Sequence, residues 1–128
     1  MIVLDTHAFV WWVQADPRLS RPAMAAIARA RELIVPDIAL WEIALHAAEG
    51  RLKFSGTVSA WLKEAVRLPG VRIYPITPEI AVAGVSINQV SHGDPADGLI
   101  GATALRLACP LVTRDERLRA LPMIETVW

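Results

Sequence analysis

Cysteine is almost absent from this chain. Cys109 stands alone among 128 residues, so neither an intramolecular disulfide nor a cysteine-based zinc site can form, and a reducing setting fits. Ahead of Pro110 it reads as a small buried hydrophobe. Neither sign of charge prevails: 13 Lys and Arg face 13 Asp and Glu. The molecule as a whole therefore offers no field to steer nucleic acid or an anionic membrane, and a polyanion has to be held by a local patch or by metal. No apolar run approaches the roughly 18 residues of a membrane span. The opening MIVLD has no basic segment ahead of its apolar stretch, unlike a signal peptide, so a soluble, cytoplasmic protein is the expectation. Repeats, low-complexity tracts and flexible linkers are missing as well.

What is present is a 54% hydrophobic composition, ample for one core, and residues 1–128 read as one domain. Eleven of the 13 basic residues are arginine, whose planar fork suits phosphate, so a compact patch can still grip a backbone. Short apolar runs at residues 1–4, 33–36, 71–75, 111–113 and 124–127 predict strands. Helices are expected between them: over 6–14, from Pro22 to Ala30, from a capping Asp37 to Glu49 with a stop at Gly50, over 57–67, over 78–86, and over 95–107 after Asp94. NQVSHG, residues 88–93, reads as a loop, and Asp115 opens a short helical turn. Strands alternating with helices predict an α/β fold, a mainly parallel sheet covered on both faces.

Four dispersed acids, Asp5, Glu42, Asp97 and Asp115, fall where a strand or loop hands over to a helix or just inside one. Functional crevices in such sheets lie beyond the carboxyl ends of the strands. Taken singly, Asp5, Asp94 and Asp115 are also plain N-caps, Asp97 a first-turn acid and Glu42 a solvated charge. Capping alone does not require acids, since Ser, Thr or Asn serve as well. Carboxylates that converge need a cation, and an all-oxygen set asks for Mg2+ or Mn2+. On the helix after residue 36, Ile38, Trp41, Leu45 and Ala48 can share one face, which leaves Glu42, His46 and Glu49 on another stripe.

The segments LDTHAFVWW (4–12), PDIALWEIALHAAEGRL (36–52), HGDPADGLIGATAL (92–105) and LVTRDERL (111–118) resemble, in order and spacing, the successive motifs of PIN domains. Within that family the chain is most similar to the VapC-type toxins of toxin–antitoxin pairs, especially those with LDTH and DPxDR motifs. The resemblance implies a three-layer α/β/α sandwich and a metal-dependent endoribonuclease acting on single-stranded RNA. Asp5, Glu42, Asp97 and Asp115 match the four family acids. Asp5 and Asp97 are then the residues that touch Mg2+ or Mn2+. Glu42 and Asp115 bind it, hold its waters or position a second ion, and Asp94 is cap and support. Thr6 and Thr113 can donate hydrogen bonds to the cluster. Gly98 departs from the subgroup, which carries arginine there; Arg114 is a partial substitute for phosphate binding.

His7 and His92 read as structural or substrate-edge residues, and His46 either orients Glu42 or is plain surface. Trp11, Trp12, Trp41 and Trp61 suit core or subunit packing rather than base stacking. Trp11 and Trp12, about 100° apart on a helix, cannot both face one core, so one is expected to face a partner. The partners implied are a cognate antitoxin, an RNA substrate and a second copy of the chain. Two other readings stay open: an RNA-processing nuclease outside a toxin pair, and a non-catalytic PIN-like interaction module. A haloacid-dehalogenase-type site is disfavoured because His7 stands where its second acid belongs.

Overall fold

The computed structural model describes residues 1–128. Twelve elements follow in the order β1 (Ile2–Leu4), α1 (Thr6–Val13), α2 (Arg21–Arg29), β2 (Leu33–Pro36), α3 (Asp37–Ala48), α4 (Val58–Ala65), β3 (Val71–Tyr74), α5 (Pro78–Ser91), α6 (Pro95–Leu107), β4 (Leu111–Val112), α7 (Glu116–Arg119) and β5 (Thr126–Val127). The sheet order is β3-β2-β1-β4-β5 and every pairing is parallel. From β1 the chain first winds outward through β2 and β3, then returns to the other side for β4 and β5. The order therefore reverses between β1 and β4, where ligand crevices form in open α/β sheets.

Side-chain alternation along the strands builds two cores. Ile2, Leu4, Leu33, Val35 and Val112 join Phe9, Ile27, Ile43 and Ala65 from α1 to α4 on one face. Val3, Ile34 and Leu111 join Ile80, Ile87, Ile100 and Leu118 from α5 to α7 on the other. This is the expected three-layer sandwich. Burying each such branched side chain stabilises it by roughly 1.5–3 kcal/mol.

Three local expectations are corrected. Helix α5 does not stop near Ser86 but runs to Ser91, because Ile80, Gly84 and Ile87 continue one buried stripe against α6 and packing outweighs the polar composition of NQVSHG. Asp37 does not cap α3: Pro36 holds the N-cap position, and Asp37 Oδ2 instead accepts the Ile76 N–H at 3.2 Å. The stripe of α3 that turns inward is Ala39, Glu42 and Ile43, while Trp41 is left 59% exposed. Glu42 is thus the buried side chain of this helix and the tryptophan the solvated one.

Glycines set one further distance. A Cβ on Gly98 would lie 2.4 Å from the Gly84 carbonyl oxygen and 2.5 Å from the Asn88 amide. Helices α5 and α6 approach too closely for any side chain there.

Candidate active site

A cleft of about 360 Å³ opens at the switch point, and Asp5, Thr6, Glu42, Asp94, Asp97, Arg114 and Asp115 all line it. Each arrives by a different route. Asp5 directly follows β1; its N–H donates to the Val112 carbonyl at 3.1 Å, and its Oδ1 caps α1 by accepting the Ala8 N–H at 3.0 Å. Thr113, directly after β4 and buried beneath the cleft, donates its hydroxyl to Asp5 Oδ2 and accepts the Asp115 N–H at 3.0 Å. Glu42, 8% exposed, comes in from α3, and its Oε1 accepts the buried Thr6 hydroxyl. Asp94 and Asp97 form a reciprocal capping box at the start of α6, with N–H to carboxylate distances of 3.0 and 3.3 Å. Asp115 caps α7 through Oδ1, which accepts the Arg117 and Leu118 N–H groups.

Capping and convergence are therefore not alternatives here. The caps fix where Asp5, Asp94, Asp97 and Asp115 stand, the Thr6 hydroxyl holds Glu42, and on Asp115 and Asp97 the caps occupy one carboxylate oxygen and leave the second free. Arg117 adds a tie between two of these corners: its guanidinium donates to the His92 carbonyl at 3.0 Å, and its own N–H holds Asp115. His92, in the left-handed conformation, ends α5 and does not line the cleft.

The electrostatics record the crowding. Burial, followed by the charges of Asp94, Asp115 and Glu42, lifts the Asp97 carboxyl to about 7. Burial likewise lifts Glu42 to about 7, against the Thr6 hydrogen bond and with Asp94 and Asp5 adding to the rise. Asp5 is raised by burial, although Ala8, Thr113 and His7 oppose it. His7, on the rim, is lowered by burial more than Asp5 raises it. Carboxyls held near neutrality by burial and by one another are poised to exchange protons for a cation.

An all-oxygen donor set with excess negative charge fits a hard divalent ion in its chemistry. No three His, Cys, Asp or Glu groups stand ready-made at ligand spacing. An ion would meet these acids through side-chain rotation or through water, which suits Mg2+, an ion that keeps several waters.

Three lining residues were not singled out as candidates by sequence reasoning or were left undecided there. His46 sits a turn above Glu42, with Nε2 4.0 Å from Oε2, and its ring is 5.5 Å from that of His7. Ile100 is the cleft's single hydrophobic residue. Arg51 was missed: Gly50, at φ +74°, folds the chain back after α3, and the Arg51 and Leu52 N–H groups both donate to the His46 carbonyl. Arg114 lies over the indole of Trp11, its guanidinium carbon 4.6 Å from the ring centroid. Gly98, expected to mark a difference in phosphate binding, is accounted for by the close approach of α5 and α6. Trp11 is buried at 1% exposure, whereas Trp12 is half-buried and stacks on Phe9.

The PIN domain profile matches residues 2–123. The chain belongs to the PIN-domain family. This PIN chain is 40% identical over 129 positions to Ribonuclease VapC22 of Mycobacterium tuberculosis, an alignment that covers 99% of this chain and 98% of that protein. Two solved structures share the fold. VapBC2 from Rickettsia felis, bound to a DNA fragment from its promoter, superposes with a TM-score of 0.72 at 16% identity, covering 98% of this chain and 97% of that one. A toxin–antitoxin complex from Klebsiella pneumoniae superposes with a TM-score of 0.70 at 20% identity, covering 97% and 95%.

Proposed function

We propose that this PIN domain, occupying residues 1–128, is a metal-dependent endoribonuclease and the toxin of a toxin–antitoxin pair, most similar to the LDTH/DPxDR subgroup. The observation that carries the reading is the convergence of Asp5, Glu42, Asp97 and Asp115 in one cleft at the β1/β4 switch point, with two of the four carboxyls lifted to about 7. The 40% identity to a protein named as a ribonuclease supports the choice of RNA.

Asp5 and Asp97 are assigned to direct contact with Mg2+ or Mn2+, Glu42 and Asp115 to the same ion, its waters or a second ion, and Asp94 to holding Asp97 by their shared cap. A divalent ion held by these carboxylates would, when bound, supply water activation and neutralise charge building on the scissile phosphate. Thr113 and Thr6 each donate a hydroxyl to a carboxylate, fixing Asp5 and Glu42 in orientation. Such supporting hydrogen bonds keep a ligand aimed while the substrate changes charge. Water attack on phosphorus with departure of the 3′-oxygen leaves a 5′-phosphate and a 3′-hydroxyl.

An antitoxin partner is proposed because a structural neighbour is itself a toxin–antitoxin complex. A homodimer and a cytoplasmic setting complete the proposal; no helix is long and apolar enough to cross a membrane. Sequencing of RNA ends after induction tests the function. New 5′-phosphate ends should appear with the wild-type chain and vanish with Asp97→Asn, a variant that keeps its melting transition. If no new ends appear, the nuclease reading fails.

A further inference from the structure

We propose that Arg51 and Arg114 grip the phosphates on either side of the bond that is cut, so that an RNA strand crosses the cleft from the α3 side to the β4 side. The inference rests on the nuclease reading and adds the path of the substrate. Arg51 and Arg114 are the two arginines that line the cleft. They reach it from opposite flanks. Arg51 follows α3, the helix after β2, and Arg114 follows β4; the sheet order sets β2 and β4 on either side of β1, which Asp5 directly follows.

The Arg51 backbone and the Arg114 guanidinium are held, while the Arg51 side chain is exposed. The left-handed turn at Gly50 and the two N–H groups donated to the His46 carbonyl, at 2.8 and 3.2 Å, fold Arg51 back over the end of its own helix. Arg114 is seated on the buried indole of Trp11 and forms no ion pair. A cation stacked on an aromatic face keeps its N–H edges outward, and a planar fork pairs with two phosphate oxygens.

The charge arrangement explains why two grips are needed. The cleft floor is acidic and the whole chain has no net charge, so apart from a bound cation these two arginines are the permanent positive charges that line the cleft. A strand whose central phosphate lies over the acids and their cation presents its neighbouring phosphates to the rim, where the arginines stand. Arg51 is not idle in their absence: its Nε lies 3.2 Å from Glu49 Oε2. Glu49 therefore competes with the substrate for Arg51.

That competition provides the test. Cleavage of a fluorescent single-stranded RNA oligonucleotide would be followed with Mg2+ or Mn2+ at several salt concentrations, and binding of the same oligonucleotide to Asp97→Asn protein by anisotropy. Arg51→Gln and Arg114→Gln should each raise KM and Kd roughly tenfold, with kcat changed by less than about twofold. Each should also flatten the slope of log Kd against log salt by about 0.7, the value for one lost single-strand phosphate contact. Glu49→Gln should lower Kd in the Asp97→Asn background and have no such effect once Arg51 is Gln. Unchanged Kd and salt slope in either arginine variant overturn the proposal. So does an equal gain from Glu49→Gln with and without Arg51, which is a general charge effect. If the wild-type chain cleaves nothing with either metal, the nuclease reading fails, and the anisotropy series still decides whether the arginines hold RNA.

Discussion

At the scale of single residues, the carboxyls of Glu42 and Asp97 hold protons that an unfolded chain would release. An unfolded carboxyl titrates near about 4, whereas burial lifts both of these to about 7 in the folded protein. Their contribution to stability is fully present below the unfolded value and is lost as pH rises through about 7. The metal-free protein should therefore melt at a lower temperature at pH 8.5 than at pH 6.5, and Glu42→Gln should flatten that fall. Mg2+ or Mn2+ competes with the same protons, so its stabilising increment should be larger at pH 8.5 than at pH 6.5. Scanning calorimetry with and without EDTA checks both signs; an increment that shrinks with rising pH would count against these acids as the metal site.

At the scale of elements, the contact between α5 and α6 turns on Gly98. A methyl group placed there meets the Gly84 carbonyl oxygen and the Asn88 amide inside contact distance, whereas one on Gly84 meets its nearest atom at 3.1 Å. Gly98→Ala should cost about 1 to 3 kcal/mol in urea denaturation, and Gly84→Ala less. The same pair of helices shows what the sequence makes legible and what it does not. Asp94, Pro95 and Asp97 announce the start of α6 because cap chemistry is local, and Gly50 announces the end of α3 for the same reason. The end of α5 was not legible, since Ile87 and Asn88 are helical by virtue of packing against α6, the next helix of the chain, not by their own preference. The inward turn of Glu42 was hidden likewise: an apolar face with Trp41 on it looks like core until the actual contacts of α3 are known. The acids themselves were readable as a set because Asp5, Asp97 and Asp115 sit at strand or helix boundaries and Glu42 inside the helix that follows a strand. Arg51 was not, because the direction of a chain after a glycine turn is a three-dimensional fact.

At the scale of the whole molecule, the last residue reaches back to the first helix. The Trp128 ring lies 5.8 Å from that of Trp11, the indole on which Arg114 rests. Trp128→Ala should lower stability by about 2 kcal/mol, less than a fully buried tryptophan because the ring is half-buried. The measurement is a shifted denaturation midpoint at unchanged slope; no shift would mean that the terminus contributes nothing to holding that platform. The parallel sheet has a consequence in time as well as in space. β1 is the first strand to be synthesised, yet one of its two neighbours, β4, begins at Leu111, and the Thr113 hydroxyl that holds Asp5 comes later still. At about 5 to 20 residues per second on the ribosome, Asp5 waits on the order of ten seconds for its partners. A chain built this way cannot close its cleft until β4 and Thr113 have been made, so the joining of Asp5 to the acids of α6 and α7 is a late event in folding on the ribosome.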